Sequence, residues 1–195
     1  MRESVVERST RETNVKVRLN LDGTGKHKVN TRLNFLNHML RSFALHGVFD
    51  LEVEADGDLH VDDHHLVEDV GIAIGQSILQ ASSKSESTRR FASVIVPMDE
   101  VLAMMAVDLS GRFHFESNLT FKRVRLGDVN SEMIEHFLKS LAENGRFNLH
   151  LMIMKDGNDH HKSEAVFKAL GLALAQAVEL LPRLSGKFTS EKGVL

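Results

Sequence analysis

Two short elements of this 195-residue chain place histidine and glutamate at a spacing that suits metal binding. Residues 64–68 and residues 160–164 both read His-His-x-x-Glu, and a further histidine, His38 or His136, precedes each element. Imidazole nitrogens and carboxylate oxygens bind divalent cations from manganese to zinc, and these donor types alone do not select one ion. Six-coordination with open positions would favour manganese. The pattern therefore predicts metal sites made of nitrogen and oxygen donors.

Helix geometry divides each element between two ions. Residues four apart on an α-helix share a face, whereas adjacent residues point about 100° apart. His64 and Glu68 can therefore bind one ion while His65 points elsewhere, and the second element repeats this arrangement. If the two halves of the chain pack together, each ion receives a His/Glu pair from one half and the diverging histidine from the other half. The predicted ligand sets are His64, Glu68, His136 and His161 for one ion, and His38, His65, His160 and Glu164 for the other.

A simpler interpretation exists for either element taken alone. A histidine pair near the start of a helix is often only a solvated polar turn. Two elements at matching positions, each with a third histidine and with Asp63 or Asp159 beside the pair, favour the metal interpretation instead. These two carboxylates either orient the imidazoles from behind or cap the helices that follow.

An internal repeat explains why the histidines recur. Residues 37–51 match residues 135–149 at an offset of 98, and residues 63–80 match residues 159–176 at an offset of 96. A repeat of this length indicates that one structural unit occurs twice. Each half therefore carries its own copy of the histidine pair and of the preceding histidine.

Hydrophobic periodicity predicts the same elements in both copies. Apolar residues recur at helical spacing from Phe35 to Ala44 and alternate as on a strand from Phe49 to Ala55, and the second copy repeats this from Met133 and from Phe147. Further helices are predicted over 67–79 and 165–181, and strands within 14–21 and 91–107. The predicted fold class is α+β, a tandem duplication of two half-domains, each with a β-sheet packed against helices.

Composition narrows the class of protein. The chain has no cysteine, which excludes disulfides and thiolate metal ligands. Lys and Arg number 24 against 27 Asp and Glu, so the net charge of −3 provides no general basic field for nucleic acid. The charged N-terminal stretch lacks a secretory signal, and no apolar run of about 18 residues follows, so we expect a cytoplasmic protein without a membrane span.

Several longer motifs lie in a fixed order along the chain. They are RSTRETNVKVRLNLDGTG (8–25), FLNHML (35–40), DLHVDDHHLVEDVGIAIGQ (58–76), VPMDEVL (96–102), DLSGR (108–112), EHFLKSLA (135–142), DHHKSEAVFKAL (159–170) and EKGVL (191–195). In these motifs, their order and their spacing, the chain resembles the imidazoleglycerol-phosphate dehydratase family over nearly its whole length. Asn37 departs from the family pattern, which has Asp there. Either an amide replaces a carboxylate that supports His38, or Asn37 points to solvent.

The resemblance implies a fold, a cofactor and an assembly. The fold is a pair of half-domains like the second domain of ribosomal protein S5, which we place at 1–85 and 86–181, followed by a substrate-binding tail at 182–195. Two Mn²⁺ ions per subunit are implied, with the same two ligand sets as above, in a homo-oligomeric shell of twenty-four subunits with sites at subunit contacts. The residues implied to contact the substrate are Glu12, His38, His46, His64, His65, Glu68, Arg90, Arg112, His160, Lys168, Ser190 and Lys192.

The implied reaction removes water from D-erythro-imidazole glycerol phosphate to give imidazole acetol phosphate in histidine biosynthesis. The departing proton lies on a carbon next to no carbonyl, so direct abstraction would be very slow. Two metals on the two ring nitrogens would stabilise an imidazolate, which can expel the adjacent hydroxyl. Glu12 is the candidate for proton transfer and His46 for assisting the hydroxyl, although an exposed strand-end carboxylate and a helix C-terminal histidine are the simpler interpretations. Arg90, Arg112 and Lys192 would bind the phosphate.

Two other functions fit part of the sequence. A dinuclear metallohydrolase would use its metals to activate water against a phosphate ester. A metal-storage shell would bind ions without catalysis, but its ferritin-like form has Glu-x-x-His motifs on four long helices. The alternating strands predicted here argue against that form.

Overall fold

Two halves with the same element order follow one another along the chain. The structure, a computed structural model, describes residues 2–83 and 87–184. The first half consists of β1 (Glu3–Ser9), β2 (Thr13–Asn20), β3 (His27–Asn30), α1 (Asn34–Gly47), β4 (Asp50–Gly57) and α2 (His64–Ser82). The second half consists of β5 (Phe91–Met98), β6 (Val101–Asp108), β7 (His114–Ser117), β8 (Arg125–Leu126), β9 (Val129–Asn130), α3 (Glu132–Gly145), β10 (Asn148–Lys155) and α4 (Asp159–Ala177). A single 3₁₀ turn, Pro182–Leu184, follows.

Both halves build the same four-stranded sheet. The strand orders are β1-β2-β4-β3 and β5-β6-β10-β7, and in each sheet only the last strand is parallel to its neighbour. Strand β2 shows why these residues form a sheet, because Val15, Val17 and Leu19 are buried while Lys16 and Arg18 point outward. The predicted α+β duplication is confirmed.

Two boundaries differ from those predicted by periodicity. The alternating stretch at 91–107 is a hairpin of two strands, β5 and β6, because a turn at Asp99 and Glu100 interrupts it. The last helix ends at Ala177 rather than Leu181, since the following residues bond to the segment before β5 and Leu180 forms a bridge with Thr88. The short strands β3 and β7 were not predicted, and neither was β1.

Helices from opposite halves pack in pairs. Helix α1 lies against α4 and α2 lies against α3, so apolar side chains of both halves form one continuous core. Gly75 and Gly171 occupy equivalent positions at these crossings. A Cβ at Gly75 would overlap the carbonyl oxygen of Leu141, and one at Gly171 would overlap that of Phe43. Both crossings therefore require glycine.

A segment between β7 and α3, which contains the β8–β9 hairpin, fixes the starts of three helices. Asp128 accepts hydrogen bonds from the first two backbone N–H groups of α1, at 2.6 and 2.9 Å. Asn130 donates its backbone and side-chain N–H groups to Asp63, just before α2. The backbone of residues 122–123 donates to Asp159 at the start of α4. The two aspartates beside the histidine pairs are thus buried anchors to this segment, and no hydrogen bond to an imidazole is found for them in the described ranges.

The predicted boundary between residues 85 and 86 falls at 84–86, outside the described residues, and so does most of the predicted tail. The domain limits therefore stay a prediction. In the part of the chain that the structure describes, no helix is long and apolar enough to cross a membrane.

Candidate metal centre

Polar caps start the two helices that carry the histidine pairs. Asn158 accepts the backbone N–H of His160 at 2.8 Å, and Asp62 accepts that of His64 at 2.9 Å. Each cap directs the chain into a helix immediately at the histidine pair. The side chains that accept these hydrogen bonds belong to Asp62 and Asn158, so the prediction that Asp63 and Asp159 cap the helices is wrong.

The first cluster joins a histidine of the first half to a His/Glu pair of the second. His38 lies on α1, while His160 and Glu164 share one face of α4. The Nε2 atoms of His38 and His160 lie 3.2 and 3.1 Å from Glu164 Oε1. Phe35 packs edge-on against the His160 ring, with centroids 5.4 Å apart. The contact between α1 and α4 therefore creates this cluster.

The second cluster reverses the contributions of the two halves. His64 and Glu68 share a face of α2, and His136 approaches from α3. His136 Nε2 lies 3.1 Å from Glu68 Oε1, and the rings of His64 and His136 have centroids 4.6 Å apart. Three of the four residues in each predicted set are thus brought together, and they come from both halves of the chain.

His65 and His161 point away from both clusters, as expected for the second residue of each pair. His65 Nδ1 lies 3.0 Å from Asp58 Oδ2, and His161 Nδ1 lies 2.9 Å from Glu100 Oε2. Asp58 raises the pKa of His65 and Glu100 raises that of His161. Within one chain neither histidine joins the cluster in its predicted set, so that part of the prediction requires a histidine from another copy.

The carboxylates behind His65 and His161 were not identified from the sequence. Asp58 directly follows β4, and Glu100 lies in the β5–β6 turn, whose counterpart in the first half carries Glu12. Glu12 Oε1 is 3.8 Å from His65 Nε2. The backbone N–H of Asn158, followed by His161, lowers the pKa of Glu100 to about 2. Both residues lie within quoted motifs. Asp58 lies only seven positions before His65, which was the available signal, whereas Glu100 lies 61 positions before His161.

The donor sets of both clusters fit a divalent cation. In each, two ring nitrogens and one carboxylate oxygen lie within 4.8 Å of one another. Burial raises the pKa of Glu164, but hydrogen bonds from Lys168 and His38 outweigh that effect and lower it to about 2. Glu164 is therefore ionised at neutral pH, as a carboxylate ligand must be. Such donors suit ions from manganese to zinc.

Lys168 and His46 lie next to the first cluster. Lys168 Nζ is 2.7 Å from Glu164 Oε2 and 3.1 Å from the sulfur of Met98. His46 lies in the last turn of α1, where burial and then the charge of Lys168 lower its pKa. His46 is therefore a neutral imidazole at neutral pH.

The predicted phosphate ligands lie elsewhere in the chain. Arg90 pairs with Asp108 at 2.7 Å, where β5 begins and β6 ends, and Arg112 is exposed in the following loop. Asn148, the first residue of β10, donates to the Arg112 carbonyl at 2.7 Å. His160 follows the opposite end of β10, and a strand of eight residues spans about 26 Å. Ser190 and Lys192 lie outside the described residues.

Asn37 neither supports His38 nor faces solvent. Its side chain is buried, and its Oδ1 accepts the backbone N–H and the hydroxyl of Thr31, both at 2.8 Å. A carboxylate at this position would accept the same two bonds. The departure from the family pattern therefore leaves this contact intact.

Comparison with known proteins decides the family. The model of the family described as imidazoleglycerol-phosphate dehydratase matches residues 31–174, most of the chain and both clusters. The chain belongs to the imidazoleglycerol-phosphate dehydratase family. Two relatives named imidazoleglycerol-phosphate dehydratase illustrate how much of the chain is shared. That of Methanothermobacter thermautotrophicus is 50% identical over 195 residues, covering 100% of this chain and 98% of that protein. That of Chloroflexus aurantiacus is 47% identical, with coverages of 100% and 95%.

Solved structures of imidazoleglycerol-phosphate dehydratases have the same fold. The Staphylococcus aureus enzyme superposes with a TM-score of 0.84 at 34% identity, covering 92% of this chain and 99% of that one. IGPD of Pyrococcus furiosus, in complex with (S)-C348, gives 0.83 at 32% identity, with coverages of 97% and 100%. The family assignment therefore holds in sequence and in fold.

Proposed function

We propose that this chain dehydrates imidazole glycerol phosphate to imidazole acetol phosphate, as a hydro-lyase of histidine biosynthesis. The observation that carries the proposal is the pair of equivalent His/His/Glu clusters, each assembled from both halves, in a member of this family. The two relatives are named imidazoleglycerol-phosphate dehydratase, and the chain aligns with nearly their whole length. A reaction that begins on a ring with two nitrogens accounts for two matching centres.

The proposed cofactor is a pair of Mn²⁺ ions per subunit. One would be held by His38, His160 and Glu164, and the other by His64, Glu68 and His136, with His65 and His161 of neighbouring copies completing the two sets. Bound cations supply Lewis acidity, which stabilises the substrate's imidazole ring in its deprotonated form. Nδ1 of His65 and of His161 is taken by a carboxylate, so Nε2 is the nitrogen available as a ligand.

Glu12 and His46 are the proposed groups for proton transfer. Glu12 is exposed in the turn between β1 and β2 and lies beside Nε2 of His65. Its carboxylate can take the proton from the substrate carbon once the neighbouring hydroxyl leaves. His46 is neutral and half-buried, so it can donate a hydrogen bond to that hydroxyl as it departs.

Arg90, Arg112, Ser190 and Lys192 are proposed to hold the phosphate. Because Arg90 and Arg112 lie far from the clusters of their own chain, they would serve a substrate bound at a cluster of another chain. Asp108 fixes the Arg90 guanidinium through a paired contact, which keeps its planar fork in one orientation. This position supports sites at subunit contacts, and from the family resemblance we propose a homo-oligomer of twenty-four subunits, located in the cytoplasm.

The deciding experiment is to incubate the purified protein with Mn²⁺ and imidazole glycerol phosphate and to follow formation of the ketone. We expect turnover that chelation abolishes, and loss of turnover and of bound metal in Glu164→Gln. Glu143→Gln, an exposed carboxylate on α3, is the matched control and should keep both. Release of free phosphate would indicate a metallohydrolase instead. Binding of far more than two ions per chain without any product would support a storage shell.

A further inference from the structure

The two clusters have the same ligand types but differ in one neighbouring charge. Lys168 lies one turn after Glu164 on α4, with its Nζ 2.7 Å from Glu164 Oε2. The equivalent position on α2 is Ile72, so no cation follows Glu68 by one turn. Among the described ion pairs, Glu68 is joined to His136, which is 3.1 Å away. The duplication has therefore kept the ligands and changed the charge beside one of them.

Burial strengthens the effect of this charge. The side chain of Glu164 is 15% exposed and that of Lys168 is 19% exposed, whereas the side chain of Glu68 is 37% exposed. Solvent screens a half-buried ammonium less than one at the surface, so Lys168 acts at short range with a reduced dielectric. Its contact with the Met98 sulfur holds the ammonium on this side of α4.

The consequence for metal binding follows from charge. Oε1 of Glu164 faces the two histidines, while Oε2 already binds the ammonium of Lys168. A divalent cation arriving between Glu164 and the histidines meets a carboxylate whose charge is largely neutralised, and it is repelled by the ammonium. Within the described ranges no lysine or arginine pairs with Glu68, so a cation arriving there meets neither obstacle.

We propose that the two sites bind their cations with different affinity, that the Glu68 site fills first, and that Lys168 sets the difference. The proposal rests on the assignment of both clusters as metal sites made above. The expected gap in dissociation constants is about tenfold or more, from the repulsion between a monovalent and a divalent charge a few ångströms apart. At limiting Mn²⁺ the protein then holds one ion per chain, and the occupancy of the Glu164 site responds to the Mn²⁺ concentration.

The test is equilibrium dialysis of the full, assembled protein against Mn²⁺, with free Mn²⁺ measured by electron paramagnetic resonance. Wild type should give two separated binding steps per chain. Glu68→Gln should lose the tight step and Glu164→Gln the weak one, which assigns each step to a cluster. Lys168→Met keeps the length and apolar contacts of the side chain, removes its charge, and should tighten the weak step toward the strong one.

Two further variants complete the design. Lys168→Arg keeps the charge and should keep the gap between the two steps. Ile72→Lys places an ammonium one turn after Glu68 and should weaken the tight step, whereas Ile72→Met controls for the altered side chain. Thermal unfolding checks that each variant folds. If Ile72→Lys does not fold, Lys168→Met decides the question by itself.

The outcomes separate this inference from the proposed function. Two steps of equal affinity in wild type, a reversed order, or a gap unchanged in Lys168→Met would each overturn the inference while leaving two metal sites in place. A wild-type protein that binds no Mn²⁺ would contradict the proposed function itself.

Discussion

At the scale of single residues, the histidine pairs were interpretable because a helix fixes which neighbours share a face. Spacing alone therefore placed His64 with Glu68 and His160 with Glu164, and the repeat supplied His38 and His136. The carboxylates behind His65 and His161 could not be predicted in the same way. Asp58 and Glu100 reach their histidines through turns, whose path depends on how the sheets end rather than on a fixed period.

Glu100 offers the sharpest test at this scale. It accepts hydrogen bonds from His161 Nδ1 and from the backbone N–H of Asn158, so it fixes both the ring and the start of α4. Replacing Glu100 by Gln should weaken Mn²⁺ binding at the site that uses His161 by about tenfold or more, because an oriented carboxylate makes the imidazole a better ligand.

The measurement for Glu100→Gln is Mn²⁺ affinity by equilibrium dialysis. Glu116→Gln, an exposed carboxylate on β7 of the same half, is the control and should bind as wild type does. If Glu100→Gln retains wild-type affinity, His161 either is not a ligand or needs no carboxylate behind it.

At the scale of elements, the helices could be predicted from the sequence more accurately than the strands. Helices α1 and α2 have long amphipathic patterns and were predicted within a few residues, and so was strand β4. Strands β3 and β7 are four residues long, which is too short for an alternating pattern to stand out. The hydrogen bonds that join Asp63 and Asp159 to the segment 122–130 were also not predicted, since they connect residues far apart in sequence.

The glycine crossings give a prediction about packing between elements. Gly75→Ala should lower the free energy of unfolding by about 1–3 kcal/mol, because the new methyl group would force α2 away from α3. Thermal and urea unfolding would measure the loss. Gln76→Ala, the next position and half-buried, should change stability by less than about 0.5 kcal/mol. Equal stabilities for wild type and Gly75→Ala would mean that the crossing is looser than described.

At the scale of the whole molecule, one chain brings together three residues of each predicted set, and the fourth points outward. The two halves share a core, so the clusters themselves are internal to the chain. His65 and His161 instead face away and are free to meet the clusters of other copies. The sequence predicted which residues cluster but not which histidine of each set points outward, because that direction depends on how the halves pack.

Removal of metal should therefore affect assembly. Each shared ion would link two chains, so chelation with EDTA should shift the protein to smaller particles, and added Mn²⁺ should restore the larger ones. Sedimentation velocity would measure both states. A His65→Ala, His161→Ala double variant should behave like the chelated protein even with Mn²⁺ present. Particles that keep their size after complete metal removal would show that the ions do not bridge subunits.

Covalent joining of the two halves has one more consequence. In a dimer of two identical separate halves, the twofold symmetry would make the two sites identical, and any mutation would alter both at once. In the joined chain each half can mutate alone, as the lysine at 168 and the isoleucine at 72 illustrate. Fusion thereby allows one centre to specialise in holding its ion while the other becomes adjustable.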